Sequence, residues 1–252
     1  MVEIKNHIFL QARENSTRLP RKVLMKILDK SIIELLVERL KKVGNIDKII
    51  LVTGQYNNNK KLVELVTKNE LNYFCGSEEN LLDRFYMAGK KFRSDNIIRV
   101  TADCPLIDFN LINKGLKIFI ENNYDLLTVG RTSKYPHGLD FEIFTMKALH
   151  KAWKNTLKKY NSKEEFFDTF ICPTEYMKNN AEFKKLELMN DIDFSTIRIT
   201  LDYREDFELI TKIYKELYYK KKYFDFNDIV KLMEKNPTLL AINQKYVKGV
   251  QN

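Results

Sequence analysis

Gln11 to Lys22 reads QARENSTRLPRK and follows the apolar run Ile8-Phe9-Leu10. Such a run, ending abruptly in polar residues, predicts a buried strand over His7–Leu10 that opens at its carboxyl end into a loop. The loop carries Arg13, Ser16, Thr17, Arg18 and Lys22, and Pro20 stiffens its turn. Three fixed cations and two hydroxyls at a strand end suit a triphosphate. The cations offset the phosphate charge, while hydroxyls and loop amides donate hydrogen bonds. A solvated basic loop is the ordinary alternative in so lysine-rich a chain. The stretch has no G-x-x-x-x-G-K-[ST] and no glycine, so it is neither a P-loop nor a dinucleotide fingerprint.

Working outward, Ser31-Ile32-Ile33-Glu34 is a capping box that starts a helix running to Val43, with Gly44 placed to end it. Ile49–Thr53, Leu71–Cys75, Asn96–Thr101 and Asp125–Val129 read as further strands. Between them lie helical patterns at Lys60–Lys68, Leu81–Phe92 and from Asp108 to about Asn123. Strands alternating with helices predict an α/β fold, a doubly wound, mostly parallel sheet. In the second half, Tyr135–Glu142 reads as a turn leading into a strand, and Thr145 caps a helix over Met146–Tyr160. Glu164–Asn179 is helical with a break at Pro173, and Phe183–Met189 and Ile197–Leu201 read as strands. Arg204–Tyr219 and Asn227–Glu234 read as helices.

The 252 residues, 44% of them apolar, allow one large α/β domain with a sizeable core. No apolar stretch is long enough to span a bilayer, and the opening MVEIKNH has no signal-peptide core, so a cytoplasmic location is expected. Cys75, Cys104 and Cys172 are not spaced as metal ligands and are expected to be reduced thiols. The net charge of +9 is spread over many lysines. A general attraction for small anionic substrates explains it as well as RNA does. A basic RNA-binding module is one alternative, but glycine-rich and aromatic RNA motifs are missing, so nucleic acid is not an expected partner.

Asp103 and Asp202 each directly follow an apolar segment. In an open α/β sheet that places a carboxylate in the ligand crevice at the carboxyl ends of the strands. Two such aspartates can hold Mg2+, whose octahedron is completed by water and substrate phosphates. Helix capping is the commoner use of a lone aspartate. Asp191-Ile192-Asp193 has the D-x-D spacing of nucleotide-sugar glycosyltransferases, a second alternative, but does not follow a mid-sheet strand.

Ala12, Arg13, Ser16, Thr17, Arg18, Leu19, Pro20 and Lys22 match A-R-x-x-S-T-R-L-P-x-K. That pattern resembles the opening signature of the cytidylyltransferases that activate acidic sugars, closest to the branch related to the spore-coat polysaccharide protein SpsF. Asn15 and Arg21 stand where that branch usually has glycine. Thr101-Ala102-Asp103-Cys104-Pro105-Leu106-Ile107 is similar to the family's T-G-D-C-P-L-I, and Thr200-Leu201-Asp202-Tyr203-Arg204-Glu205-Asp206 to its T-V-D-x-x-E-D. Gly76-Ser77 with Leu82-Asp83-Arg84 is similar to the nucleotide-side G-S-x-x-x-x-L-D-R, and Tyr135–Glu142, YPHGLDFE, to P-x-G-L-D-x-E. Glu165–Ile171, EFFDTFI, departs from the family's R-E-H-V-T-P-Y-I.

The resemblance implies an Mg2+-dependent transfer of CMP from CTP to a small anionic acceptor, an acidic sugar, sugar phosphate or phosphonate, with release of pyrophosphate. It implies a nucleotide site of Leu10, Ala12, Arg13, Ser16, Arg18, Lys22, Gly76, Ser77, Arg84, Thr101 and Asp103, with Arg18, Lys22 and Asp103 acting in the chemistry. Asp103 and Asp202 hold the metal, and His137, Gly138, Asp140 and Glu142 bind the acceptor. It further implies a homodimer, and a single nucleotidyltransferase domain over 1–252 whose insertion at about 133–195 serves acceptor binding and dimerisation.

Overall fold

The computed structural model describes residues 3–247. The chain runs β1 (Asn6–Gln11), a small hairpin β2 (Lys26–Ile27) and β3 (Lys30–Ser31), then α1 (Ile32–Leu40), β4 (Lys48–Thr53), α2 (Lys60–Lys68), β5 (Asn72–Cys75), α3 (Leu81–Phe92) and β6 (Asn96–Thr101). It continues through α4 (Phe109–Glu121), β7 (Leu126–Val129), β8 (Phe141–Thr145), α5 (Met146–Leu157), α6 (Lys163–Asp168), α7 (Glu175–Asn179), β9 (Lys185–Glu187), α8 (Arg204–Leu217), α9 (Phe226–Lys235) and α10 (Thr238–Ala241).

Seven strands form one sheet in the order β5-β4-β1-β6-β8-β7-β9. Neighbours pair in parallel except β8, which runs antiparallel to both β6 and β7. The predicted doubly wound, mostly parallel sheet is therefore present. The chain first builds outward from β1 through β4 to β5, then crosses by α3 to β6 on the other side of β1. The order reverses between β1 and β6, and the crevice at their carboxyl ends is where such sheets take ligands.

Side chains alternate across the sheet, as a strand period of two requires. Ile8 and Leu10 enter a core with α1, α4, α8 and α9, while Phe9 enters a second core with α3 and α5. Local chemistry sets the helix starts. Ser31 Oγ accepts from Glu34 N at 3.3 Å while Glu34 Oε2 accepts from Ser31 N at 2.8 Å. Asp108 Oδ1 accepts from Asn110 N at 2.7 Å, and Thr145 Oγ1 from Ala148 N at 3.0 Å. Residues 133–195 supply β8 and β9 to the main sheet. Among the described residues, no helix is long and apolar enough to cross a membrane.

Some expected elements differ. α1 ends at Leu40, and the left-handed residue beyond it is Asn45, with φ 56°, rather than Gly44. The pattern over Glu164–Asn179 is two short helices, α6 and α7, split by an extended stretch that ends at Pro173. Ile197–Leu201 is extended but is not a strand of the sheet. It makes a single bridge, Arg198 to His137, beside the irregular Pro136–Gly138 turn, which offers no continuous ladder to pair with.

Phe9 is fully buried, with Phe85 at 5.7 Å between ring centroids. Phe9→Ala is expected to cost about 3–5 kcal/mol, a transfer loss plus a cavity. Urea denaturation checks it. A loss below about 1.5 kcal/mol would mean that α3 collapses into the gap.

Candidate functional site

The loop after β1 is fastened before it is functional. Glu14 is buried, its amide donates to Asn59 Oδ1 at 2.9 Å, and its Oε1 accepts from Leu62 N at 2.8 Å, pinning the loop to the start of α2. Arg21 holds φ 56° and thus carries a left-handed backbone conformation that glycine takes at less cost.

A cleft of about 330 Å³ opens over the carboxyl ends of β1 and β6, lined by Ala12, Arg13, Ser16, Thr17, Arg18, Lys22, Arg84, Thr101, Asp103 and Asp202, among others. Eight of the residues expected to bind nucleotide or metal, from Ala12 to Asp103, thus meet here with Asp202, over 90 positions further along the chain. Leu10 is sealed in the core at 0% exposure and does not line the cleft; its side chain packs the strand from which the loop leaves. Gly76 and Ser77 build the rim instead of lining the cleft. A Cβ on Gly76 would lie 2.8 Å from the Phe74 ring and 2.9 Å from Arg84, and Ser77 Oγ donates to Phe167 O at 3.1 Å. Arg84 is 3% exposed, and its Nε and Nη2 donate to the carbonyls of Ser77 at 2.7 Å and Glu78 at 2.5 Å. It holds the rim rather than pairing with Asp83, which accepts from Trp153 Nε1.

Lys22 lies between the two aspartates. Its ammonium donates to Leu201 O at 2.6 Å and Asp202 Oδ1 at 3.0 Å, and lies 3.8 Å from Asp103 Oδ2. Arg18 reaches the same Asp202 oxygen at 2.9 Å. Burial opposes ionisation of Asp202, yet Lys22, Arg18 and Arg198 together hold its carboxyl below the usual range. Behind it, Asp206 is fully buried and accepts from Arg198 Nε and Nη2 at 2.9 and 2.8 Å and from the amides of Asp202 and Tyr203 at 2.9 Å. Asn243 Nδ2 donates to Asp206 Oδ1 at 2.8 Å. Asp206 lies in the Thr200–Asp206 stretch that resembles the family pattern, yet nothing in its spacing distinguishes a buried orienting group from an exposed one.

A second cleft, of about 640 Å³, lies over β6, β8 and β7. His137, Asp140 and Glu142 line it with Arg99, Thr128, Arg131, Lys178 and Lys185. Arg99, Thr101 and Asp103 line both clefts, so Asp103 stands at their junction. Gly138 sets the turn above it: φ is 116°, and a Cβ there would lie 2.5 Å from Thr200 N. Arg198 Nη1 lies 3.1 Å from His137 Nδ1. A guanidinium only donates, so Nδ1 accepts and the imidazole is neutral with its proton on Nε2. Burial, seconded by Arg131 and Arg198, pushes the His137 pKa down, and burial pushes that of Asp140 up.

Glu142 differs. Its Oε2 accepts from Arg99 Nη1 at 2.6 Å, and its Oε1 from Thr174 Oγ1 at 2.8 Å and Lys178 at 2.5 Å. Burial opposes its charge, but Arg99 and Lys178 prevail and push the pKa down to about 2. Arg99 also donates to Gln11 Oε1 at 2.9 Å, joining β1, β6 and β8. The lone arginine inside the apolar strand NIIRVT is the sequence signal for this partly buried charge. Asp191-Ile192-Asp193 lies exposed in the loop after β9, where Asp193 accepts from Ser195 N, away from both clefts.

Among the described residues, no group of three or more His, Cys, Asp and Glu side chains could hold a metal. The pair Asp103 and Asp202 nonetheless fits magnesium as donors. Both are hard carboxylates, the Asp103 side chain is 35% exposed to the cleft, and a cation, Lys22, already lies against both.

The two clefts meet at Asp103, at the carboxyl ends of the strands of a mostly parallel sheet. The chain belongs to the cytidylyltransferase family, whose model matches residues 8–242. It is 36% identical over 237 residues to the uncharacterized protein MJ1063 of Methanocaldococcus jannaschii, covering 93% of this chain and 92% of that one. It is 23% identical over 235 residues to the spore coat polysaccharide biosynthesis protein SpsF of Bacillus subtilis, covering 90% and 93%. The solved cytidylyltransferase of Leptospira borgpetersenii superposes with a TM-score of 0.83 at 29% identity, covering 99% of both chains.

The depressed Glu142 pKa makes an acid-stability prediction. Stability from its ion pairs is fully present above the ordinary value of 4.5 and is lost as pH falls towards about 2. Compared with Glu142→Gln, the wild type should therefore hold an advantage near neutrality that shrinks by about 3 kcal/mol between those pH values. Urea titrations at stepped pH measure it. A constant gap would show that Glu142 is not the titrating group.

Proposed function

We propose that the chain transfers the cytidylyl group of CTP to a small anionic acceptor, at the junction of the two clefts. The observation that carries this reading is that Asp103, with Arg99 and Thr101, borders both clefts. A nucleotide in one and an acceptor in the other would meet at that carboxylate.

The cleft beside the β1 loop takes CTP. Arg13, Arg18 and Lys22 neutralise the β and γ phosphates, and Ser16 with the loop amides donates hydrogen bonds to them. An acceptor oxygen in the second cleft attacks the α-phosphorus, the bond to the bridging β oxygen breaks, and pyrophosphate carries that electron pair away. Such transfers depend on positioning and charge neutralisation more than on covalent help from the protein. Asp103 and Asp202 would hold a magnesium ion, which neutralises phosphate charge when bound. Arg18 and Lys22 both lie against Asp202, which gathers them at the phosphate end.

On the acceptor side, Arg131, Lys178 and Lys185 draw an anion into the second cleft. Neutral His137 offers Nε2–H, and Asp140 takes substrate hydroxyls. Glu142 acts by holding Arg99 and Lys178. This chemistry suits an acidic sugar, a sugar phosphate or a phosphonate, and the similarity to SpsF, named for polysaccharide biosynthesis, favours a precursor of surface polysaccharide or glycoconjugate. A homodimer working in the cytoplasm belongs to the same proposal.

Pyrophosphate release from CTP, UTP, ATP and GTP against a panel of sugar acids, sugar phosphates and phosphonates, with and without magnesium, tests it. CTP-selective, acceptor-dependent release is expected, and hydrolysis of a preformed nucleotide sugar instead would refute it. Asp103→Asn should lower turnover at least ~100-fold with an unchanged melting curve. Lys22→Ala should weaken CTP at least ~10-fold and CMP hardly at all, because CMP lacks the β and γ phosphates. Calorimetry on both nucleotides reads the difference, and equal losses would place Lys22 away from those phosphates.

A further inference from the structure

Arg13, Arg18, Lys22 and Ser16 supply the cations and a hydroxyl of the nucleotide cleft, and Asp103 and Asp202 its carboxylates. Another group among the lining residues, Glu78, Leu81, Arg84, Phe170 and Cys172, gathers on or beside the rim segment. This rim group has few free cations to offer. The Nε and Nη2 of Arg84 are spent on the carbonyls of Ser77 and Glu78, and Glu78 Oε2 accepts from Gln55 N at 2.8 Å. Phe170 is the aromatic residue among those lining this cleft, and it is 67% exposed.

An exposed phenyl ring is uninformative on a floppy loop, but this one is held on both sides. Before it, Ser77 Oγ donates to Phe167 O at 3.1 Å and Asn80 Nδ2 to Phe166 O at 2.6 Å. After it, Leu82 N donates to Ile171 O at 3.0 Å. All three donors belong to the rim segment that Arg84 clamps. The ring is therefore carried at the mouth of the cleft, with the set of residues that lacks free cations. An aromatic side chain carried on an anchored backbone there suits the part of a nucleotide that is flat and uncharged.

We propose that Phe170 is the base platform of this cleft, stacking on the pyrimidine ring of the bound nucleotide. The inference rests on the reading of the cleft as the CTP site. It also gives Glu165–Ile171, which departs from the family pattern, a role on the nucleotide side.

Calorimetry with CTP, CMP and inorganic tripolyphosphate, on wild type, Phe170→Ala, Phe170→Leu and Phe170→Trp, tests it. Loss of one stacking contact should weaken CTP and CMP alike, roughly five- to fifty-fold, in the Ala and Leu variants. Tripolyphosphate, which has no base, should bind all four proteins equally, and Trp should restore nucleotide affinity. Leu keeps an apolar side chain, so it still reads the contact if the Ala variant folds poorly. Unchanged CTP affinity in the Leu variant overturns the proposal. So does a parallel loss of tripolyphosphate, which would mean the rim itself has moved, or an altered association state with nucleotide affinity intact. A wild type that binds tripolyphosphate but not CTP overturns the nucleotide reading as a whole, and that result differs from a stacking failure.

Discussion

The carbonyl oxygen of Asp103 accepts two hydrogen bonds, from Leu201 N at 2.7 Å and from Thr200 Oγ1 at 2.9 Å. These bonds join the end of β6 to a segment almost a hundred residues later, and the geometry of the site depends on them. They bring Asp202 beside Asp103 without making the later segment a strand. The same segment receives the 135–140 turn on its other side, where His137 N donates to Ile197 O at 2.9 Å and Ile199 N to His137 O at 2.7 Å. Gly138 is required for that closeness, since a side chain at this point would strike the backbone of Thr200. One extended segment thus holds a proposed metal ligand and the proposed acceptor turn in register.

The charges are arranged in layers behind this frame. Arg198 and Asp206 are a buried bidentate pair, and breaking such a pair by removing one partner leaves an uncompensated charge. Asp206 also holds the Asp202 amide, so the pair sets the backbone that presents Asp202. In front, Lys22 and Arg18 share one Asp202 oxygen. The inner pair is satisfied entirely by protein, whereas Arg18 is half-exposed and able to exchange its partner for a phosphate. Rigidity and exchangeability are thereby assigned to different arginines.

The parallel half of the fold was legible because its signals are local. Apolar strands, the Ser31 capping box and polar loops at strand ends each depend on a few adjacent residues, and β1, β4, β5 and β6 lie where they were expected. The Ile197–Leu201 segment misled for the same reason: its composition is that of a strand, but its partner is an irregular turn rather than a ladder. Leu10 was named with the loop that follows it, although alternation from Phe9 turns its side chain into the core. Glu14, Arg99 and Asp206 were passed over because a charge buried by tertiary contacts looks like any other charge in the chain. Their roles are set by Asn59, Glu142 and Arg198, whose distance in sequence carries no local sign.

Asp140 and Glu142 show how far environment, and not residue type, decides a role. They sit two residues apart, and both border the same cleft. Glu142 is surrounded by Arg99, Lys178 and Thr174, and the two cations hold its carboxyl well below the usual carboxylate range. Asp140 is half-buried with one amide donor, Gly138 N at 2.8 Å, and partial burial, with Asp103 nearby, disfavours its ionised form. A permanently ionised, fully bonded carboxylate is a structural anion that can orient cations. A carboxyl with a raised pKa and an unfilled oxygen can accept or release a proton when a substrate hydroxyl arrives. On the proposed reading, Asp140 is the group that meets the acceptor, while Glu142 holds Arg99 and Lys178 in place.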